Sequence, residues 1–302
     1  MNLRQVFYGP SELRAGWRLL IFAAIVYGLL QCQRFAARTW LRGISNDADF
    51  VLFELGSFLG FLLASWIMAK LEGRSVADYG LPARRTLRGE FWKGAAMGFG
   101  SLTVLLVVMR AAGLFYFGHF ALRGSDIFLW AGVFALVFLL VALREEFSLR
   151  GYALFTLTTG VSFWPAATAL SAYFGYGHRG NSGESWLGLS SAAAFGLLFC
   201  LMLRRTGNLW LPIGFHTAWD WGQSYFYGVP DSGVVVPGHL LNSHAAGPAW
   251  LSGGTVGPEG SVLCLALMVV IWFAFAALFP AVKYPDPAAV PDPRRPRSLL
   301  AP

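Results

Sequence analysis

Glu145, Glu146 and Arg150 stand in the run Arg144-Glu145-Glu146-Phe147-Ser148-Leu149-Arg150, and on a helix they divide their roles. Glu146 and Arg150 are four residues apart with the acid N-terminal, the favourable order for an ion pair. Glu145 is turned about 100° from its neighbour and meets no basic residue at i+3 or i+4. The spacing therefore predicts one neutralised carboxylate and one free to act as a general base. Two histidines add further i, i+4 relations. His178 follows Phe174, whose ring lies one turn away and is able to wall the imidazole from lipid. His216 precedes Asp220, whose carboxylate can fix the orientation and tautomer of the imidazole. A free glutamate with two imidazoles is suited to hydrolysis by an activated water.

The elements that must position these groups are set by composition. Of 302 residues, 56% are hydrophobic and 13% charged, with a mean hydropathy of +0.55. Soluble chains carry about 25% charged residues, so much of the usual polar surface is missing here. Apolar runs approach the roughly 20 residues that a helix needs to cross a bilayer. The expected fold is an all-α, polytopic transmembrane bundle of about eight spans, near 17–33, 51–70, 93–113, 127–159, 163–178, 187–203, 208–226 and 261–280. The chain then divides into N-terminal spans (1–126), a motif-bearing core (127–226), an external loop (227–260), a last span (261–280) and a basic, Pro-rich, disordered tail (281–302).

Basic residues set the orientation. Arg4, Arg14 and Arg18, the 70–93 connection, Arg204 and Arg205, and the tail form the rich set. Connections on the opposite side are poorer, and 227–260 has no Lys or Arg at all. The positive-inside rule puts both termini in the cytoplasm of a multi-pass cell-membrane protein. This distribution, between spans rather than on one basic face, argues against nucleic acid as the partner of the +7 net charge. No cleavable signal peptide is evident. Cys32, Cys200 and Cys264 form no CxxC pair and read as packing residues. His119, His239 and His244 fall in or near external loops. The 227–260 loop is able to cover a cavity mouth or to serve as a plain flexible connection.

Ionisable side chains within spans cost roughly 2.5–3.5 kcal/mol each on insertion scales, so they need partners or a purpose. Glu54, in span two, is free to join the cavity or to pair with Arg150. Measured from the turn near 160–163, Glu145 and His178 are each about 15 residues away, roughly 22 Å at helical rise and so at one level. His216, about 8 residues into its span, is shallower at roughly 12 Å. Span four, as one helix, would be about 50 Å long, so its start projects from the membrane or it breaks near Arg144.

Glu145-Glu146-x-x-x-Arg150-Gly151, Phe174-x-x-x-His178 and His216-x-x-x-Asp220, in that order, resemble the CPBP intramembrane protease family. This family comprises CAAX prenyl endopeptidases of the Ras-converting type and bacteriocin-processing (Abi) proteins. The resemblance covers about residues 127–226. It implies that Glu145 activates the attacking water with His178, that Glu146 and Arg150 support the site, and that His216 with residue 220 stabilises the oxyanion. The family commonly has Asn at the last position, where this chain has Asp220. An ionised Asp cannot donate a hydrogen bond, so Asp220 is either protonated or the orienting partner of His216.

The resemblance thus implies an intramembrane endopeptidase for a membrane-associated, including a prenylated, peptide or protein. Catalysis without a cofactor is the favoured expectation; the competing account is zinc held by Glu145, His178 and His216. The alternative from another class is a non-proteolytic membrane protein, either a proton-coupled transporter or a scaffold with a vestigial site.

Overall fold

The computed structural model describes residues 6–9, 13–41 and 45–285. Nine helices carry the argument: α1 (Ala15–Trp40), α2 (Asn46–Glu72), α3 (Gly89–Ala111), α4 (Asp126–Arg150), α5 (Tyr152–Val161), α6 (Phe163–Gly177), α7 (Trp186–Thr206), α8 (Trp210–Trp221) and α9 (Val262–Leu278). The architecture is an all-α membrane helical bundle. Among the described residues, five helical stretches are long and apolar enough to cross a membrane: Ala15–Trp40, Ala48–Glu72, Gly89–Ala111, Ser125–Val161 and Trp186–Thr206. The other three expected spans are shorter helices, of 15 residues in α6, 12 in α8 and 17 in α9. Large apolar side chains such as Leu20, Phe35, Trp66, Phe128 and Phe273 face outwards, where lipid rather than water would cover them.

Local chemistry ends the helices where the sequence says it should. The Ser185 hydroxyl accepts from the Gly188 N–H at 3.1 Å and caps α7, and Ser261 does the same for Cys264 at the start of α9. Gly207, at φ 84°, takes the left-handed turn that closes α7. The overlong fourth span is resolved at Gly151, not at Arg144. The helix runs unbroken through Arg144 to Arg150, and the Gly151 backbone (ψ −121°) then departs from helical values before α5 begins.

Two contacts fix the elements around the site. On α3, Gly94 and Gly98 lie one turn apart and meet α8 backbone to backbone. A Cβ at Gly94 would sit 2.0 Å from the Leu211 oxygen, and one at Gly98 2.2 Å from the Phe215 oxygen. Small residues at such spacing allow the close helix approach that drives association in lipid. The second contact is a short antiparallel ribbon, β1 (Phe115–Tyr116) with β2 (His244–Ala245), extended by a Phe120–Leu241 bridge. It fastens the 227–260 segment to the α3–α4 connection, so that segment is an ordered cap and not a plain flexible connection. The expected disordered tail lies, from residue 286, outside the described residues. Just before it, the Lys283 and Tyr284 N–H groups donate to the Arg204 carbonyl at 2.8 and 3.1 Å, and Tyr284 is buried.

Candidate active site

Five of the six expected site residues are in direct contact. Arg150 Nη1 donates to Glu146 Oε1 at 3.4 Å, the predicted i, i+4 pair, and both side chains are fully buried. The same Glu146 oxygen lies 3.0 Å from His216 Nδ1. His216 Nε2 lies 3.2 Å from Asp220 Oδ2 and 3.8 Å from Glu145 Oε2. With an ionised carboxylate at each nitrogen the ring donates from both, whereas a protonated Asp220 donates to Nε2 instead. Phe199 stacks on the His216 ring at 5.5 Å and 25°, and Arg150 lies over Phe174 at 4.6 Å. Arg150 and His216 thus rest on aromatic faces.

Helix α8 puts Asp220 one turn after His216, with its Oδ2 on Nε2. Glu145 departs from expectation, because it is not unpaired. Arg144 Nη2 donates to Glu145 Oε1 at 2.8 Å, and Arg144 Nε donates to Glu54 on α2. The i+3 and i+4 positions hold no base, as the spacing requires; the partner is the residue just before it. Glu54 therefore pairs with Arg144, not with Arg150, and joins the cavity wall as well.

His178 is near but separate. Its Nδ1 lies 2.8 Å from the Phe174 carbonyl, so Nδ1–H donates there and Nε2 is the nitrogen left without that contact. The Phe174 ring meets the imidazole edge-on at 4.7 Å. Among the described residues no hydrogen bond or ion pair joins His178 to Glu145, but both line one cavity of about 1440 Å³. That cavity also takes in His216 and Asp220. Its apolar part is formed by α1, α2 and α4, and its cap by Asp231, Val236, Val256 and Glu259. For the zinc account, no group of three or more His, Cys, Asp or Glu side chains among the described residues is placed to hold a metal ion, and His216 has a carboxylate at each nitrogen.

Residues 125–222 match the family model for type II CAAX prenyl endopeptidases, Rce1-like. The match covers about a third of the chain. No curated protein and no solved structure matches the chain. The Rce1-like segment contains all six expected site residues, and it supplies the resemblance with a CAAX-type protease family at the level of the family. Two contributors escaped sequence reading: Arg144 was visible only as a neighbour in sequence, and Phe199 as one more aromatic in an apolar helix. Glu54 was singled out as able to join the cavity, but its partner Arg144 was not foreseen. The signal for Glu54 was its position inside an apolar span.

Proposed function

We propose that this chain is an intramembrane endopeptidase that hydrolyses a peptide bond of a membrane-associated, including a prenylated, peptide or protein. The observation that carries the reading is Glu145 lining the cavity within an Rce1-like segment, one oxygen held by Arg144 and the other directed towards His216. A water between Glu145 and His178 gives its proton to Glu145, and its oxygen attacks the carbonyl carbon. His216 keeps Nδ1–H on Glu146, and its Nε2–H leaves Asp220 to donate to the developing oxyanion. The C–N bond then breaks, and the leaving amine takes the proton from Glu145. This route uses no metal, so a chelator leaves the rate unchanged. Both termini lie in the cytoplasm of a cell-membrane protein in this reading, with the 227–260 cap on the opposite face.

The test is cleavage of a prenylated CAAX peptide by the detergent-purified chain. Glu145→Gln is expected to lower kcat by about a hundredfold or more, while the variant elutes and melts as a folded protein. Retained cleavage would remove Glu145 from its role. One observation favours a second reading: His216 bridges Glu146 and Asp220, a short chain of groups able to pass a proton. A transporter built on that chain predicts pH-driven flux in liposomes and no peptide cleavage.

A further inference from the structure

Glu54 lies on α2, outside the 125–222 segment, yet its carboxylate reaches the edge of the site. Its side chain is 3% exposed, in a helix whose apolar residues face outwards. A carboxylate in such a place needs a partner or a task. Its partner is Arg144, whose guanidinium it shares with Glu145.

Neighbouring side chains on a helix diverge by about 100°, so Arg144 does not meet Glu145 by helix geometry alone. The carboxylate from α2 supplies the second constraint. A guanidinium is a planar fork able to bind a carboxylate through two parallel N–H groups. Here the Nε edge is taken by Glu54, and Nη2 reaches Glu145 Oε1 alone. Glu145 Oε2 is left towards His216 and the cavity. Without Glu54 the fork can turn and take both oxygens of Glu145, including the one that must accept the proton of water.

The geometry points to Glu54 as a positioning residue that holds Arg144 by one edge and so keeps one oxygen of Glu145 open to water. This rests on the proteolytic reading above. The site thereby extends beyond the family-matched segment to a helix that this chain supplies from outside it.

The experiment is a double-mutant cycle of Glu54→Gln and Arg144→Gln, read as kcat and KM on the prenylated peptide and as melting temperature in detergent. Glu54→Gln is expected to lower kcat about tenfold or more with KM within about twofold, because the loss is of alignment and not of substrate contact. In the Glu54→Gln background, adding Arg144→Gln is expected to restore part of the lost kcat, since no fork remains to cover Glu145. Unchanged kcat in Glu54→Gln, or losses that simply multiply in the double variant, would overturn the proposal. If the unaltered chain cleaves no peptide, the proteolytic reading fails by itself. The melting temperatures then test the link: coupled shifts support Glu54–Arg144 as a unit, and additive shifts overturn it.

Discussion

At the residue scale, the site is a set of carboxylates shared among too few bases. Glu146 serves Arg150 and His216, Arg144 serves Glu54 and Glu145, and His216 lies between Glu146 and Asp220. This sharing gives Asp220 a clear prediction. An Asn side-chain oxygen can still accept from His216 Nε2, and its amide adds a donor for an oxyanion. Asp220→Asn is therefore expected to keep kcat within about tenfold of the parent, whereas Asp220→Ala, which leaves Nε2 without its acceptor, loses about a hundredfold. Equal losses in the two variants would show that the charge of Asp220, not its accepting oxygen, is what His216 needs. The motifs themselves were legible because i, i+4 spacing on a helix fixes which side chains meet. The Arg144–Glu145 contact was not, because it depends on a third residue 90 positions earlier in the chain.

At the scale of elements, the depth of His216 is instructive. Counted from the start of its own span it came out shallower than Glu145, counted from the 160–163 turn, yet the two side chains approach to 3.8 Å. The Glu145 count ran straight through Gly151, where the backbone leaves helical values between α4 and α5. Measured from that break, Glu145 is six residues away, roughly 9 Å, and His216 is the same distance from the start of α8 at Trp210. Glycine's presence in the motif was readable; the bend it permits was not. The cap is the other element that sequence left open. Glu259 accepts from the Ser232 N–H and hydroxyl at 2.5 and 2.9 Å, which pins the loop over the cavity. Burial, reinforced by the nearby Asp220 charge and opposed by the Ser232 hydrogen bonds and His178, pushes the Glu259 carboxyl up to about 7. Folding thus favours its protonated form. The stability it contributes is complete below its ordinary value near 4.5 and is lost as pH rises through about 7. Hydrogen exchange across 228–260 should accordingly be slower at pH 5 than at pH 8, after correction for intrinsic rates. Glu259→Gln should flatten that difference. An opposite slope would refute the assignment.

At the scale of the whole molecule, a second ionic knot lies away from the catalytic groups. Glu72, at the end of α2, receives Arg18 Nε at 2.9 Å and Nη2 at 2.7 Å from α1, and the Tyr152 hydroxyl from α5. Tyr79 also donates to it, at 3.4 Å. The Arg18 and Glu72 side chains are nearly buried, at 3% and 11% exposure. Removing one member of a buried pair costs about 3–5 kcal/mol, whereas replacing both by apolar groups costs far less. Glu72→Gln should therefore lower the melting temperature in detergent by several degrees, and Arg18→Met with Glu72→Leu should recover much of the loss. A double variant no better than the single would place the strength of the knot in Arg74, 3.5 Å from the Glu72 carboxylate, and in the tyrosines. Composition and run length were enough to read the membrane bundle, because the cost of unpaired backbone in lipid leaves few alternatives. Which acids would hold the bundle together was not readable, since partners on different helices leave no spacing to detect.

The two ion pairs centred on α2 have one consequence for how this fold can change over time. Arg144 and Tyr152 both lie inside the matched segment, and both rely on acids that the segment does not encode. The stretch from 125 to 222 is therefore not a transplantable cassette. Moved onto foreign leading helices, it would bring its catalytic groups along and leave behind the two carboxylates that hold Arg144 and Tyr152, so inheritance has to carry the front of this chain and its chemical centre as a single unit.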